Sequence, residues 1–162
     1  MKTRGLAFKP INGADHTSGP SPAPKRRRSS RVRHMPRRRV VIDHVAVGVS
    51  DLARSRAFYV QALLPLGFSE IGPWRAGAME ISFGLEEADD FTISTAYPTG
   101  TPVHVAFAAD RREQVDAFHA AAIAAGGRDN GPPGLRSEYG DGYYAAFVLD
   151  PDGHNIEAVS QQ

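Results

Sequence analysis

Two histidines and one glutamate, far apart in the chain, are the residues whose types could perform chemistry together. His44 and His104 lie in segments of β-branched and alternating apolar residues, which is typical of strands, and Glu157 lies between Ile156 and Ala158. Two neutral imidazoles and one carboxylate can hold a divalent transition metal ion and leave positions open for water or a substrate. A cation would also pair the carboxylate if the strand buries it. We therefore predict a metal site formed by His44, His104 and Glu157.

Small residues surround each histidine on its strand. The residues at alternate positions after the two histidines are Ala46, Gly48, Ala106 and Ala108. Side chains of a strand alternate between its two faces, so the bulky residues of both strands share the opposite face. A face of small side chains leaves a hollow that suits a bound ligand. The alternative is a pair of duplicated core histidines with ordinary hydrogen-bond partners, together with a solvated Glu157.

The sequence repeats itself after 60 residues without gaps. The shift places His44 on His104, Phe58 on Phe118 and Gly67 on Gly127. The order of strand, helix and three strands also recurs, which indicates a duplication. We predict an α+β fold of tandem βαβββ modules, residues 40–97 and 103–160, that form a mixed eight-stranded sheet assembly with the helices outside. The internal pseudo-twofold would bring the two histidines together.

The second module contains the segments that could contact a substrate. We predict a long loop over residues 130–142, a strand over residues 143–149, and a tight turn at Asp150–Gly153 before the last strand. Long irregular loops in compact domains often cover binding sites. His154, beside the turn, is interpreted as a turn or surface residue on the face opposite Glu157.

Charge is distributed unevenly along the chain. Residues 1–39 hold twelve Lys and Arg and one acid, whereas residues 40–162 hold seven Arg, no Lys and seventeen acids. The first segment has few apolar residues without a period, so we predict a disordered basic tail before one globular domain, residues 40–162. A role in nucleic-acid binding would depend on this tail alone, and we regard nucleic acid as an unlikely partner.

The composition excludes several classes of protein. The chain has no cysteine, which excludes disulfides, thiolate metal sites and a cysteine nucleophile. No apolar run approaches the ~20 residues that cross a bilayer, and no signal-peptide pattern is present. We expect a cytoplasmic protein that is not in the membrane.

Three segments together resemble the vicinal oxygen chelate superfamily, which includes glyoxalase I, bleomycin-resistance proteins, fosfomycin-resistance thiol transferases and extradiol dioxygenases. They are His44–Tyr59, His104–Phe107 and Asp150–Glu157, and the resemblance covers residues 41–160. It implies paired βαβββ modules in a cup around a divalent ion, with His44, His104 and Glu157 as ligands. It also implies a homodimer in which the two chains share the sites across their interface.

The resemblance implies a metal-dependent enzyme acting on a small substrate that chelates the ion through two oxygens. The reaction would be that of a lyase, isomerase, thiol transferase or dioxygenase, and the ion Fe, Mn, Ni, Co or Zn. The alternative is a non-catalytic protein of the bleomycin-resistance type that binds or sequesters a small molecule. Metal ligands retained in the sequence favour the enzyme.

Other site residues follow from the resemblance and from the predicted loop. Glyoxalase I has a further carboxylate ligand on the last strand of its first module, and Phe91–Tyr97 offers none, which disfavours that activity. We predict catalytic roles for Glu157 and Tyr144, the latter chosen among three nearby tyrosines. We predict substrate contacts from Arg136, Tyr139 and Trp74, since a guanidinium binds carboxylates and phosphates.

Overall fold

The structure is a computed structural model that describes residues 42–72, 75 and 77–162. The basic tail predicted for residues 1–39 and the predicted substrate contact Trp74 lie outside the described residues. Within the described part of the chain, no helix is both long and apolar enough to cross a membrane.

Both modules have the order βαβββ. The first contains β1 (Val45–Gly48), α1 (Leu52–Leu63), β2 (Ser69–Ile71), β3 (Glu80–Gly84) and β4 (Phe91–Ser94). The second contains β5 (His104–Ala108), α2 (Arg112–Ala124), β6 (Arg128–Leu135), β7 (Tyr143–Leu149) and β8 (Asn155–Gln161). The predicted α+β class and the tandem repeat of this unit are confirmed.

The strands form two four-stranded mixed sheets, with orders β1-β4-β3-β2 and β5-β8-β7-β6. In each sheet the first strand is parallel to the last strand of its module, and the other pairs are antiparallel. Ala46 lies opposite Thr92, and Ala106 lies opposite Glu157. The first module therefore has Thr92 where the second has Glu157.

The helices pack on the faces of the sheets that do not carry the histidines. From α1, Phe58 and Tyr59 are fully buried in the same apolar cluster as Val47 and Phe107, the bulky residues of β1 and β5. Full burial of such a side chain stabilises the fold by about 1.5–3 kcal/mol. Ala46 and Ala106, on the other faces, are exposed. The small-residue faces predicted from the alternation are thus free of the core at the two alanines, whereas Gly48 is buried.

Local sequence signals set the limits of α1. The Asp51 carboxylate accepts a hydrogen bond of 3.0 Å from the backbone N–H of Arg54, which satisfies one of the free donors of the first turn. A 3-10 turn that contains Pro65 follows the helix, and Gly67 ends it with a φ of 88°.

Strand β6 is longer than the sequence predicts. Residues up to Leu135 pair with β7, whereas the sequence predicts a loop from residue 130 onward. Two register shifts interrupt the pairing, and Pro132 and Pro133 lie in this strand, which is at the edge of its sheet. Proline lacks a backbone donor and is tolerated at edges and bulges, so these prolines do not end the strand.

The turn that precedes β8 connects the two modules. The Asp152 carboxylate accepts hydrogen bonds from the backbone of Ser50 and the hydroxyl of Ser55, at 3.0 and 3.2 Å. Burial raises the pKa of Asp152, but the hydrogen bonds from the two serines and the charge of Arg54 together place that pKa below 3.8. The carboxylate of Asp150 accepts a 2.7 Å hydrogen bond from the buried hydroxyl of Tyr59.

His154 belongs to the same connection, and the interpretation as a surface residue is wrong. The side chain is 4% exposed. Its Nδ1 accepts from the backbone N–H of Val103 at 3.1 Å, so the proton lies on Nε2, which donates to the carbonyl oxygen of Gly48 at 2.8 Å. A Cβ on Gly48 would lie 2.3 Å from the carbonyl oxygen of Pro98, so only glycine fits this crowded point.

Candidate functional site

His104 and Glu157 are in contact on the open face of the second sheet. Glu157 Oε2 lies 3.1 Å from His104 Nε2, and the glutamate is 2% exposed. The register of β5 and β8 explains the contact, because Ala106 lies directly opposite Glu157 and its small side chain leaves room for the carboxylate. His104 precedes Ala106 by two residues on β5, so its ring lies on the same face of the sheet. The sequence prediction that these two residues act together is consistent with this geometry.

Tyr143 holds the other oxygen of the carboxylate. Its hydroxyl donates a 2.6 Å hydrogen bond to Glu157 Oε1. Burial, together with the hydrogen bond and the charge of Glu157, raises the pKa of Tyr143 to about 12, so the phenol remains protonated at neutral pH. Glu157 therefore has two protein partners, Tyr143 and His104, and its burial alone does not require a cation.

Tyr144, predicted as the catalytic tyrosine, faces the other side of β7. Its hydroxyl donates to the carboxylate of Asp116 on α2 at 2.8 Å, and Arg112 lies over its ring. The hydrogen bond with Asp116 raises the pKa of Tyr144. Neighbouring residues of a strand point to opposite faces, so Tyr143 occupies the position beside Glu157 and Tyr144 does not.

The Nδ1 atom of His104 contacts two atoms of Asn155. It lies 3.1 Å from the Asn155 carbonyl oxygen and 2.9 Å from the Asn155 side-chain nitrogen. Donation from Nδ1 to the carbonyl leaves the Nε2 lone pair free on the side of Glu157. Donation from the amide nitrogen to Nδ1 places the proton on Nε2 instead. Asn155 can therefore support either neutral tautomer of His104.

His44 does not join the pair within one chain. It precedes β1 in the position that His104 has in the second module, its side chain is 59% exposed, and its Nδ1 contacts Asp43 at 3.1 Å. Over residues 42–72, 75 and 77–162, no three His, Cys, Asp or Glu side chains are grouped as a metal ion requires. The expectation that the internal duplication brings both histidines together in one chain is therefore wrong.

The open face of the first sheet carries two hydroxyl groups beside Ala46. The hydroxyls of Ser82 and Thr92 are 2.8 Å apart, on the side of the sheet that carries Ala46. No carboxylate occupies the position equivalent to Glu157, because that residue is Thr92. The two histidine faces thus differ at this position, where the first has a hydroxyl and the second a carboxylate, although Glu80 lies on the same face as Ser82 by alternation.

The separation of His104 and Glu157 is suitable for two ligands of one ion. Ligand atoms at about 2.0–2.2 Å from an ion lie about 2.8–3.6 Å apart in octahedral or tetrahedral geometry. The distance of 3.1 Å between Nε2 and Oε2 falls in this range. An imidazole and a carboxylate are also the donor types that divalent transition metals accept, so the residues fit such an ion.

A cleft of about 300 Å³ adjoins His104. Arg136, Tyr139, Phe147 and Asn155 are among its lining residues. The Phe147 ring lies 6.3 Å from the His104 ring, and Tyr139 packs against Tyr143 with ring centroids 5.3 Å apart. Two of the predicted substrate contacts, Arg136 and Tyr139, are therefore beside the pair.

Sequence reasoning missed the contribution of Tyr143, Phe147 and Asn155. The register of β7 and β8 places Phe147 opposite Glu157, and Tyr143 follows on the same face by alternation. That alternation was the available signal. It was hidden because the segment Tyr143–Leu149 is apolar on both faces, so its pattern does not tell which tyrosine faces Glu157.

Comparisons with known proteins give consistent results. The profile of the Glyoxalase/Bleomycin resistance protein/Dioxygenase superfamily matches residues 41–158. The uncharacterized protein YqjT of Bacillus subtilis (strain 168) is 32% identical over 130 residues, which are 72% of this chain and 96% of that protein.

Solved structures agree with the profile. A glyoxalase/bleomycin resistance protein from Albidiferax ferrireducens T118 is 38% identical, with a TM-score of 0.60 over 74% of this chain and 98% of that chain. A lactoylglutathione lyase from Agrobacterium tumefaciens is 16% identical with a TM-score of 0.57 over 76% of this chain and 95% of that chain, which is a likeness of fold alone.

Proposed function

Because the chain belongs to the glyoxalase/bleomycin resistance protein/dioxygenase superfamily, we propose that it is a metal-dependent enzyme for a small substrate that chelates the ion through two oxygens. His104 and Glu157 of one copy would hold a divalent ion together with His44 of a second copy. The observation that carries this proposal is the 3.1 Å contact between His104 Nε2 and Glu157 Oε2 on an open sheet face.

A second copy would explain the position of His44. The residue is exposed on a face of small side chains, and its own chain offers it only Asp43 among the described contacts. The face with His104 is also open, since Ala106 and Ala108 are exposed. Two such faces from two copies can enclose a site that neither encloses alone. A symmetric dimer would contain two equivalent sites.

The residues of the chain have distinct roles in this proposal. When bound, the divalent ion would act as a Lewis acid toward the oxygens of the substrate. Tyr143 keeps its proton and fixes Glu157 Oε1, which leaves Oε2 directed toward His104. The carbonyl of Asn155 can accept the Nδ1 proton of His104 and so present the Nε2 lone pair. Tyr143 and Asn155 are thus positioning residues.

Metal content tests the proposal. We expect wild-type protein, prepared without a metal-chelating tag, to retain about one divalent ion per chain in elemental analysis. His104→Ala should reduce the ion content to near zero, because it removes one of three ligands. His119→Ala is the matched control, since His119 contacts Asp129 on the surface, and should retain the ion.

The second candidate is a protein that binds or sequesters a small molecule without chemistry. The observation in its favour is that Tyr143 and His104 already satisfy the buried carboxylate. Wild-type protein that purifies without metal, and takes up no more metal than His104→Ala in dialysis, would establish this second candidate and contradict the first.

A further inference from the structure

Arg136 is held in a fixed position at the start of the loop after β6. Its Nη2 donates to the carbonyl oxygen of Pro132 at 2.6 Å and its Nη1 to that of Leu135 at 3.3 Å. Its backbone N–H donates to the backbone carbonyl oxygen of Tyr143, whose hydroxyl holds Glu157. A guanidinium has five N–H donors, and these two side-chain contacts use two of them. Three donors remain for a ligand.

The surrounding chain makes room for this guanidinium. A Cβ on Gly134 would lie 2.9 Å from Nη1, and a Cβ on Gly131 would lie 3.5 Å from Nη2. The glycines of β6 thus allow the backbone to approach the charged group closely. Among the described residues, no carboxylate forms an ion pair with Arg136, although Glu138 lines the same cleft. The positive charge therefore lacks a direct counter-ion in the described part of the chain.

Phe147 lies close to both Arg136 and His104 of the candidate metal site. The Arg136 Cζ is 5.6 Å from the Phe147 ring centroid, and that centroid is 6.3 Å from the His104 ring. Asn130 and Asn155 also line this cleft; Asn130 donates to Asn155, and Asn155 contacts His104. A flat molecule on Phe147 would have one end near His104 and the other near the guanidinium.

We propose that the cleft of Arg136, Phe147 and Asn155 binds a carboxylate of the substrate, at the end opposite to the two oxygens that chelate the ion. This inference rests on the proposed function and adds the substrate class: a planar monoanion with a vicinal pair of oxygens. The free donors of Arg136 match the two oxygens of a carboxylate. The negative charge of Glu138 in the same cleft favours a monoanion over a doubly charged phosphate.

Two probes of nearly equal shape test this site. They are 3,4-dihydroxybenzoate and the neutral 3,4-dihydroxybenzamide, which carry the same vicinal oxygens and differ in the carboxylate. We expect calorimetric titration of the metal-loaded wild-type protein to give at least about tenfold tighter binding of the benzoate. Arg136→Gln should abolish this preference and leave the affinity for the benzamide within about twofold. Arg136→Lys, which keeps the charge without the fork, should retain part of the preference.

The controls separate this site from the metal site. Arg128→Gln removes an exposed arginine of the same strand and should keep the full preference. His104→Ala should weaken both probes alike, because it acts on the chelating end. Equal affinity of the metal-loaded wild-type protein for both probes, or failure of both to bind to it, overturns the carboxylate site alone, whereas a wild-type protein that takes up no metal overturns the proposed function together with this site. Tighter binding of 3,4-dihydroxyphenylphosphonate than of the benzoate also overturns it.

Discussion

At the scale of single residues, Glu157 depends on Tyr143. The carboxylate is buried, and the tyrosine donates the shorter of its two contacts, 2.6 Å against 3.1 Å from His104. The pKa of Tyr143 is raised to about 12 because burial and the adjacent carboxylate both disfavour a phenolate. The tyrosine thus acts as a hydrogen-bond donor over the whole physiological pH range.

This raised pKa predicts a loss of stability in alkali. Above pH 10 the unfolded chain has lost the Tyr143 proton, whereas the folded protein keeps it until about pH 12. The contribution of this residue is therefore fully present below pH 10 and disappears as the pH rises to about 12. In Tyr143→Phe, urea unfolding over this range should release about one proton fewer than in the wild type. The control is Tyr97→Phe, which removes an exposed tyrosine outside the site and should release as many protons on unfolding as the wild type. Fewer protons released by this control, or a wild-type proton release in Tyr143→Phe, contradicts the assignment.

At the scale of elements, the turn before β8 fixes one module against the other. Three of its side chains reach the first module across about a hundred residues of sequence: Asp150, Asp152 and His154. Two of them bond to α1 or the segment before it, and His154 bonds to the end of β1. The same turn leads directly into the strand that carries Glu157, so the position of the site depends on these contacts.

We predict that Asp152→Ala lowers the free energy of unfolding by about 1–3 kcal/mol, because it leaves the donors of Ser50 and Ser55 without their partner. The pKa of Asp152 is lowered in the folded protein, so its contribution is present above pH 3.8 and is lost as the pH falls through the folded value. In acid, the free energy of unfolding of the variant should therefore depend less strongly on pH than that of the wild type. Urea titration of the variant and of Asp89→Ala, an exposed acid of another turn, measures the difference; equal stability of the two variants would refute the role of the turn.

At the scale of the whole molecule, the metal site that we propose requires a second copy of the chain. The 60-residue repeat and the alternation in β1 and β5 predicted the two modules and the faces of both histidines. The position of the two modules relative to each other was beyond the sequence, because it depends on contacts such as His154 with Gly48, which no local pattern encodes. For the same reason the repeat suggested a site within one chain, whereas His44 is apart from His104 and Glu157.

Mixing two inactive variants measures most directly whether two copies share the metal site. His44→Ala and His104→Ala should each purify without the ion. When they are unfolded together in equal amounts and refolded, about half of the dimers contain one copy of each, and each mixed dimer has one intact site. The mixture should therefore bind about a quarter of the wild-type metal. A mixture that binds no more metal than the separate variants, or a single variant that retains the ion, would contradict the shared site.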